Sequence, residues 1–558
     1  MLEYLLEKFN TFKIILIMKL NFYRLFFFGI LLFTVYACEQ NADKISDKTA
    51  MTESKSTDYY NEPHRPQYHF SPEANWMNDP NGMVYYEGEY HLFYQYYPDS
   101  TVWGPMHWGH AVSEDLVNWE HLPIALYPDS LGYIFSGSAV IDWKNTSGFG
   151  KDNKPPMIAI FTHHLMKGER AKTNDFQYQS IAYSLDKGRT WTKYKNNPVI
   201  PNTEKIKDFR DPKVIWDEPS DQWLMVFAAG DHVMFWGSQD LKNWTHLSNF
   251  GKDAGDHGGV WECPDIFPMM VSTTGETKYV MLLSINPGAP NGGSGTQYFV
   301  GDFNGKEFVL DPAFKKEVSN EQGVWLDRGR DNYAGVTWSD IPASDGRRLF
   351  IGWMSNWDYA QVVPSEKWRS AMTLPRSLEL VKKGSKYHLL SKPIEELVKN
   401  RQTTMGISPT TVKDKFSLPV ANGIDLTECE MEFSVSLPTT TAEEFGIRLV
   451  NKKGESYRFG YRKSSKQFFC ERAATKGNLF SPKFAHNKEM ALRTEKDPII
   501  EFRIFVDRSS IEIFTDDGQV VLTEIFFPSE PFTEIELFSK GGETVFTNLN
   551  VYGMKKTW

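Results

Sequence analysis

Ser113-Glu114-Asp115-Leu116-Val117-Asn118-Trp119 and Ser238-Gln239-Asp240-Leu241-Lys242-Asn243-Trp244 carry one pattern, and Ser184-Leu185-Asp186-Lys187-Gly188-Arg189-Thr190-Trp191 repeats it with a residue added. Each reads as an Asp-led hairpin turn running into an aromatic strand. The closing tryptophans stand 72 and 53 residues apart, which is long for the commonest blade repeats but suits blades with elaborated loops. Around these turns, from about residue 66 to 385, short strand-like runs alternate with turn signals. Examples are residues 89–96, 157–161, 179–183, 223–227, 278–283 and 348–353. No amphipathic helix of useful length interrupts them. About 320 residues at roughly 60 per unit give about five four-stranded sheets, a five-bladed β-propeller. A pair of β-sandwiches without rotational repeat stays open from the repeat alone.

A charged connector at 395–401, within a linker expected over 386–405, leads to a second strand-rich region. Its runs at 430–437, 445–450, 457–461, 499–506, 510–514 and 520–527 alternate in polarity, with Asp516-Asp517-Gly518 as a turn. Residues 406–558 are therefore expected to form an antiparallel β-sandwich behind the propeller, and the fold class is all-β. The 558 residues are too many for one ordinary core.

The N-terminal region reads as an export signal over residues 1–37. Met18-Lys19-Leu20-Asn21-Phe22-Tyr23-Arg24 is a positive n-region, and residues 25–35 are an apolar core too short to span a bilayer. Thr34-Val35-Tyr36-Ala37-Cys38 resembles a bacterial lipoprotein cleavage site, with Cys38 the lipidated first residue of the mature chain. Glu3 and Glu7 fit poorly ahead of such a signal, so Met18 is expected to be the true start. Residues 38–65, polar and without periodicity at 41–62, read as a flexible tether. The expected location is outside the inner membrane, on the periplasmic side or at the cell surface, held by the lipid. Cys263, Cys429 and Cys470 make no disulfide framework, although Cys429 and Cys470 could pair if they face each other. A formal charge of −10, without a basic block in the body of the chain, argues against nucleic acid.

Three acids stand in turn-like settings beside aromatic, Arg or Asn residues: Asp79 in Trp76-Met77-Asn78-Asp79-Pro80-Asn81-Gly82, Asp211 in Phe209-Arg210-Asp211-Pro212, and Glu262 in Trp261-Glu262-Cys263-Pro264. Glycoside cleavage needs a carboxylate at the anomeric carbon and a carboxylic acid at the leaving oxygen. Asp79, in a tight polar turn, suits the nucleophile. Glu262, next to Trp261, Cys263 and Pro264, has a less polar setting that would raise its pKa and suit the acid/base. Asp211 beside Arg210 is expected to stay ionised and stabilise positive charge on the sugar. Strand alternation would turn only one of Arg210 and Asp211 inward, so both reach a site only through a turn or bulge at Pro212. His107-Trp108-Gly109-His110 and His163-His164 have no matching partner cluster, so no metal is expected, and no cofactor. Gly288-Ala289-Pro290-Asn291-Gly292-Gly293-Ser294-Gly295 lacks the residues of a phosphate loop and reads as a surface loop near the active face.

Residues 75–82, His91-Leu92-Phe93-Tyr94-Gln95-Tyr96, Trp103-Gly104-Pro105, Phe135-Ser136-Gly137-Ser138, Arg210-Asp211-Pro212 and Glu262-Cys263-Pro264 together resemble glycoside hydrolase family 32, in the family's order. Phe505-Val506-Asp507-Arg508-Ser509-Ser510-Ile511-Glu512-Ile513-Phe514 resembles a motif of that family's C-terminal sandwich, and carries no catalytic role. The resemblance implies retaining hydrolysis of β-fructosidic bonds without metal, with Asp79 as nucleophile, Glu262 as acid/base and Asp211 as transition-state stabiliser. It also implies that Asn78, Gln95, Trp103, Phe135, Ser136 and Arg210 line the fructosyl subsite. Asp331-Asn332-Tyr333-Ala334-Gly335 and Ile351-Gly352-Trp353-Met354-Ser355-Asn356-Trp357 look more like the exo-acting inulinase and levanase branch, with Trp357 a candidate stacking platform. The implied partner is a fructan or fructo-oligosaccharide, degraded to fructose. Alternatives on the same scaffold are an endo-levanase, an invertase acting on sucrose and a fructosyltransferase. Those of another class are a non-catalytic fructan-binding lipoprotein and an arabinan-cleaving propeller.

Overall fold

A computed structural model describes residues 59–321, 323–419, 423–473 and 479–558. The stretch expected as an export signal, Cys38 and most of the expected tether lie outside these residues. Five four-stranded antiparallel sheets follow one another in the chain, each starting with its innermost strand. Blade I comprises Asn75–Tyr86, Glu89–Tyr97, His107–Ser113 and Glu120–Leu126. Blade II comprises Tyr133–Ile141, Met157–His164, Gln177–Ser184 and Thr192–Lys193. Blade III comprises Phe209–Asp217, Gln222–Ala229, Val233–Ser238 and Thr245–Phe250. Blade IV comprises Val260–Met270, Thr277–Asn286, Gly295–Phe303 and Phe308–Leu310. Blade V comprises Tyr333–Thr337, Arg348–Met354, Arg376–Lys383 and Lys386–Pro393. The ring closes where Trp368–Arg369 pairs in parallel with the start of blade I, Asn75 opposite Trp368.

The repeated turns join the third and fourth strands of blades I, II and III. Asp115 accepts from the amides of Val117 and Asn118 at 2.9 and 2.7 Å, and Trp119 Nε1 donates to Leu116 O at 3.0 Å. Asp240 and Trp244 repeat these bonds at 2.9, 2.8 and 3.0 Å. In the longer copy Asp186 accepts from the Thr190 amide at 2.9 Å and Trp191 Nε1 donates to Gly188 O at 3.0 Å. Leu116, Leu241 and Gly188 all lie in the left-handed region, at φ 65°, 60° and 74°. The aspartate therefore supplies the acceptor that the turn needs, and the tryptophan pins it from the other side.

Lys386–Pro393, within the stretch expected as linker, is the outer strand of blade V, paired with Arg376–Lys383. A single 3-10 turn, Glu395–Asn400, then leads directly to the sandwich strand Arg401–Ile407. The end of the expected tether is also folded. Arg65 is fully buried, donates to Pro72 O and Glu73 O at 2.7 and 2.9 Å and lies over the Tyr60 ring, while Tyr60 stacks on Trp558 at 4.6 Å. The Tyr60 and Trp368 rings, 4.1 and 5.0 Å from the guanidinium, hold this segment against the propeller, which its polar composition did not signal.

Eleven strands form the sandwich, bound into one hydrogen-bonded network by Glu534–Met554. The first part of this 21-residue strand pairs with Glu444–Val450 and the last part with Cys429–Ser436, so it serves both layers. Between the layers lie Met431, Phe433, Ile447, Phe459, Phe502, Ile504 and Leu537. Cys429 and Cys470 are buried here and unpaired, as is Cys263 in the propeller.

Propeller and sandwich meet through buried charge. His69 Nδ1 contacts Asp507 at 2.8 Å and its Nε2 contacts Glu512 at 3.0 Å; Arg376 donates to Glu512 and Asp327 at 2.5 and 2.9 Å. The family-like sandwich motif thus earns its acids structurally, far from chemistry. Burial pushes the His69 imidazole down, but its bonds to Asp507 and Glu512 outweigh this and leave it at about 9. Burial likewise raises Glu512, but Arg376 and His69 outweigh it and hold the carboxyl below its usual range. A raised imidazole stabilises fully below its unfolded value, about 6.5, and loses this as pH rises through 9. A lowered carboxyl contributes above its unfolded value and loses this as pH falls. Glu512→Gln removes the negative charge between His69 and Arg376 and turns an amide NH2 toward one of them, and an expected loss of about 3–5 kcal/mol is measurable by urea unfolding near neutral pH. Unchanged stability would refute the interface assignment.

Candidate active site

At one end of the propeller every innermost strand carries the same irregularity. Blade I pairs Met77 with Tyr96 and then Pro80 with Tyr94, three residues advanced against two. Ile134 to Gly137, Arg210 to Lys213, Glu262 to Asp265 and Tyr333 to Val336 repeat this in blades II to V. Each is a β-bulge, which inserts a residue and resets the alternation of side chains. Consecutive residues therefore face the channel mouth together: Asn78 with Asp79, Phe135 with Ser136, Arg210 with Asp211. Asp211, Cys263 and Ala334 reach the required turn at φ 68°, 46° and 52°, a left-handed backbone costing about 1 kcal/mol or more per non-glycine residue. Gly137 follows Ser136 for a steric reason: a Cβ there would lie 2.0 Å from the carbonyl oxygen of Ile160.

The pocket above these bulges has a volume of about 290 Å³, and all ten residues singled out in the sequence for catalysis or substrate binding line it. Asp79 Oδ2 accepts from Ser136 Oγ at 2.7 Å, and Oδ1 from Asn78 Nδ2 at 3.0 Å. Trp76 Nε1 in turn donates to Asn78 Oδ1 at 2.7 Å, which orients the amide. Asp211 accepts from the Cys263 amide at 3.0 Å. The Cys263 thiol stands between two acids, 3.5 Å from Asp79 and 3.7 Å from Asp211. Burial, then the neighbouring carboxylates, push this thiol far above its usual range, so it stays protonated and its single S–H can serve either acid.

Glu262 sits in a more polar place than its neighbours in sequence indicate. Arg210 Nη2 donates to its Oε1 at 2.7 Å and the Tyr333 hydroxyl donates to Oε2. Arg210 also donates to Asp208 Oδ1 at 2.6 Å and lies 3.7 Å from Asp211. The Glu262 side chain is 19% exposed against 5% for Asp211, so it is the more open acid of this pair. The expectation for Asp211 needs correction too. Burial raises its carboxyl to about 7; Arg210 lowers it, but Glu262 and Asp79 add repulsion. Asp79 is raised for the same reasons, burial first and Glu262 second, against the bonds from Ser136, Asn78 and Cys263.

A buried carboxyl with a raised pKa destabilises the fold at pH above its unfolded value, increasingly up to its folded one. Asp211→Asn is therefore expected to raise stability at pH 8 by up to roughly 4 kcal/mol, an advantage that shrinks toward pH 4. Melting curves at the two pH values check this, and an equal shift at both would show that the carboxyl is unperturbed.

Trp357 forms one wall. Its amide donates to Ser294 Oγ at 3.1 Å and its ring lies 5.0 Å from Trp353 and 5.9 Å from Trp76. Trp353 itself is fully buried behind it. The glycine-rich segment at 288–295 is thus more than a surface loop: Ser294 braces Trp357, and Asn291 Nδ2 donates to Met490 O of the sandwich at 3.0 Å. Trp103 and Phe135 meet edge to face at 6.1 Å, and Phe135 stacks on His164 at 4.2 Å.

Several pocket residues carried no role in the sequence reading: His164, Glu169, Phe176, Gln177, Lys207, Asp208 and Gln361. Tyr333 and Cys263 join them through their bonds to the acids. Asp208 was recoverable, being two residues from Arg210 and so on the same side of an extended run. Tyr333 had a signal as well, since it opens the fifth inner strand where the other four carry site residues. Glu169, on the short helix Met166–Ala171 and 3.1 Å from His164, and Gln361, in the 3-10 turn Ala360–Val362, had none.

A family model described as the glycosyl hydrolases family 32 N-terminal domain matches residues 69–393, and the family 32 C-terminal model matches residues 394–553. A levanase of Bacillus subtilis (strain 168) is 48% identical over 508 residues, covering 91% of this chain and 72% of that protein. An extracellular exo-inulinase of Aspergillus awamori is 38% identical over 522 residues, covering 89% and 96%. The crystal structure of an exo-inulinase from Aspergillus awamori superposes with a TM-score of 0.80 at 36% identity, over 89% of this chain and 100% of that one. A β-fructofuranosidase from Schwanniomyces occidentalis, complexed with fructosyl-erythritol, superposes at 0.78 and 32% identity, over 89% and 99%.

Proposed function

The chain belongs to glycosyl hydrolase family 32, and from that membership we propose that it is an exo-acting fructan β-fructosidase releasing fructose from levan or inulin. It is a glycosidase, and it hydrolyses β-fructosidic bonds with retention of configuration. In the first step Asp79 attacks the anomeric carbon of the terminal fructosyl unit. Glu262 delivers a proton to the leaving oxygen. In the second step Glu262 takes a proton from water, which displaces Asp79. Asp211 accepts hydrogen bonds from ring hydroxyls and offsets positive charge as it develops.

One observation carries this reading: three carboxyl groups from three blades line one pocket, two of them in contact with Cys263, while Glu262 is hydrogen-bonded to both Arg210 and Tyr333. The Arg210 and Tyr333 donors hold the Glu262 oxygens in place for proton exchange, while Ser136 and Asn78 orient Asp79. Trp357, Trp103 and Phe135 provide apolar faces for the sugar's C–H groups. Exo action is supported by the exo-inulinase relative and by a pocket of about 290 Å³ whose lining includes Trp357, Gln361, Phe176 and Glu169 beside the three acids. Chromatography of time-resolved products from levan, inulin and sucrose tests it. Free fructose is expected from the first time points of either polymer, and early short oligosaccharides would overturn exo action.

Cys38 is proposed to carry the lipid that holds the enzyme outside the inner membrane. The Thr34–Cys38 sequence supports the lipid, and an extracellular relative supports export alone. Cys38→Ser is expected to move activity from the membrane fraction to the soluble one; activity that stays with membranes would refute the anchor.

A further inference from the structure

Below the catalytic pocket the five inner strands enclose an axial channel. Residues 80–83, 136–138, 211–213, 263–264 and 336–337 narrow it to a void of about 10 Å³, space for a single water. At the far ends of the inner strands of blades II, III and IV, beside the segment that follows the inner strand of blade V, lies a second cavity of about 410 Å³, within the range of small-ligand sites. Trp143, Trp216, Trp223, Phe267, Asp340 and Arg348 line it. None of these residues has a part in the chemistry above.

Two features of this cavity call for a ligand. Trp143 is 60% exposed, the only exposed tryptophan among the described residues, yet it is held rigidly. Its Nε1 donates to Asp340 Oδ1 at 2.8 Å, Asp340 Oδ2 accepts from the Ile141 amide at 3.0 Å, and Tyr86 packs beside the indole at 5.7 Å. An edge-anchored, open indole face costs free energy in water unless something covers it. The second is Arg348. Its guanidinium lies 4.6 Å over the Phe267 ring, donates only one long bond, 3.4 Å to Trp338 O, and has no carboxylate within ion-pair distance among the described residues. Arg348 lines the cavity, and most of its five N–H donors have no protein acceptor among the described residues.

We propose that this far cavity is a second saccharide site, which holds a stretch of fructan chain while another chain end occupies the catalytic pocket. The indole face takes the C–H side of a sugar ring and Arg348 donates to its hydroxyls. A neutral polyol fits better than an anion because Asp340 and Glu218 stand in the same lining as Arg348 and Lys144, two carboxyl groups against two cations. The choice of fructan among neutral glycans rests on the activity proposed above. Binding there raises the local concentration of chain ends and supplies no new chemistry.

Trp143→Ala is the test, with levan and the trisaccharide 1-kestose as probes. The expected result is a KM for levan raised about five- to tenfold, with kcat on both substrates and KM for 1-kestose unchanged. Trp143→Phe keeps a stacking face without the Asp340 bond and is expected to retain most of the levan affinity, and Arg348→Met to lose part of it. In a Glu262→Gln background, electrophoresis through levan-containing gels reads the same loss without turnover. Equal retardation of Trp143→Ala and its parent overturns the site. So does an equal loss on levan and 1-kestose, which would mean damage transmitted to the catalytic pocket. A Glu262→Gln enzyme that still cleaved fructans would instead refute the catalytic reading, and leave the gel comparison to decide the second site separately.

Discussion

Asp79→Asn is expected to lower kcat on levan or inulin by on the order of 10⁴- to 10⁶-fold, the range seen when a covalent nucleophile is removed. The amide has nearly the carboxylate's shape, so the donors Ser136 and Asn78 keep their places, but its carbonyl oxygen cannot form the glycosyl ester. Because burial and Glu262 already push the Asp79 carboxyl upward, the neutral variant is expected to fold at least as well as the parent. Intact melting behaviour with activity lost is therefore the signature to look for. A variant retaining a tenth of the parental kcat would remove Asp79 from the mechanism.

Glu262→Gln carries the second largest effect, an expected fall in kcat of about 10²- to 10⁴-fold with fructan affinity kept. Glutamine can still accept from Arg210 or Tyr333, which preserves the pocket, but it has no proton to deliver. The loss should depend on the leaving group, being smallest for substrates whose leaving oxygen needs least protonation. Azide, which attacks without a general base, is expected to accelerate the second step in this variant and leave the parent unchanged. An active Glu262→Gln enzyme indifferent to azide would assign the proton transfer elsewhere.

The buried acids also explain why this site is a weak point of the fold. Asp79 and Asp211 are both held above their ordinary range by burial and mutual repulsion, so the charge needed for reaction opposes folding at neutral pH. The same chain concentrates paired buried charge at the propeller–sandwich junction, where His69 bridges Asp507 and Glu512 and Arg376 donates to Glu512. Carboxyl groups thus serve opposite ends here, strained where a substrate must be handled and fully paired where two domains must hold.

Much of this was legible along the chain. The Asp-led turns ending in Trp119, Trp191 and Trp244 marked the same corner of three blades because an aspartate accepting amides two to four residues ahead is a purely local device. Period-two polarity located the sandwich strands for a similar reason: one face must be buried. The three acids announced themselves through turn residues and aromatic neighbours. Less legible were Tyr60 and Arg65, polar by composition but folded by ring–guanidinium contacts, and the polar surroundings of Glu262, which come from blades III and V rather than from Trp261 or Pro264.

Residue order by itself determined the all-β architecture, the two strand-rich regions and the identities of the groups able to act on a glycosidic bond. Only the tertiary structure decided that Arg210 and Asp211 could both face the site, that Cys263 would stand between two acids, and that Tyr333 would reach Glu262. The physical reason is the row of five bulges at one height of the ring: alternation is local and can be counted, whereas a bulge depends on the partner strand that tolerates it, and convergence depends on closing the blades into a circle.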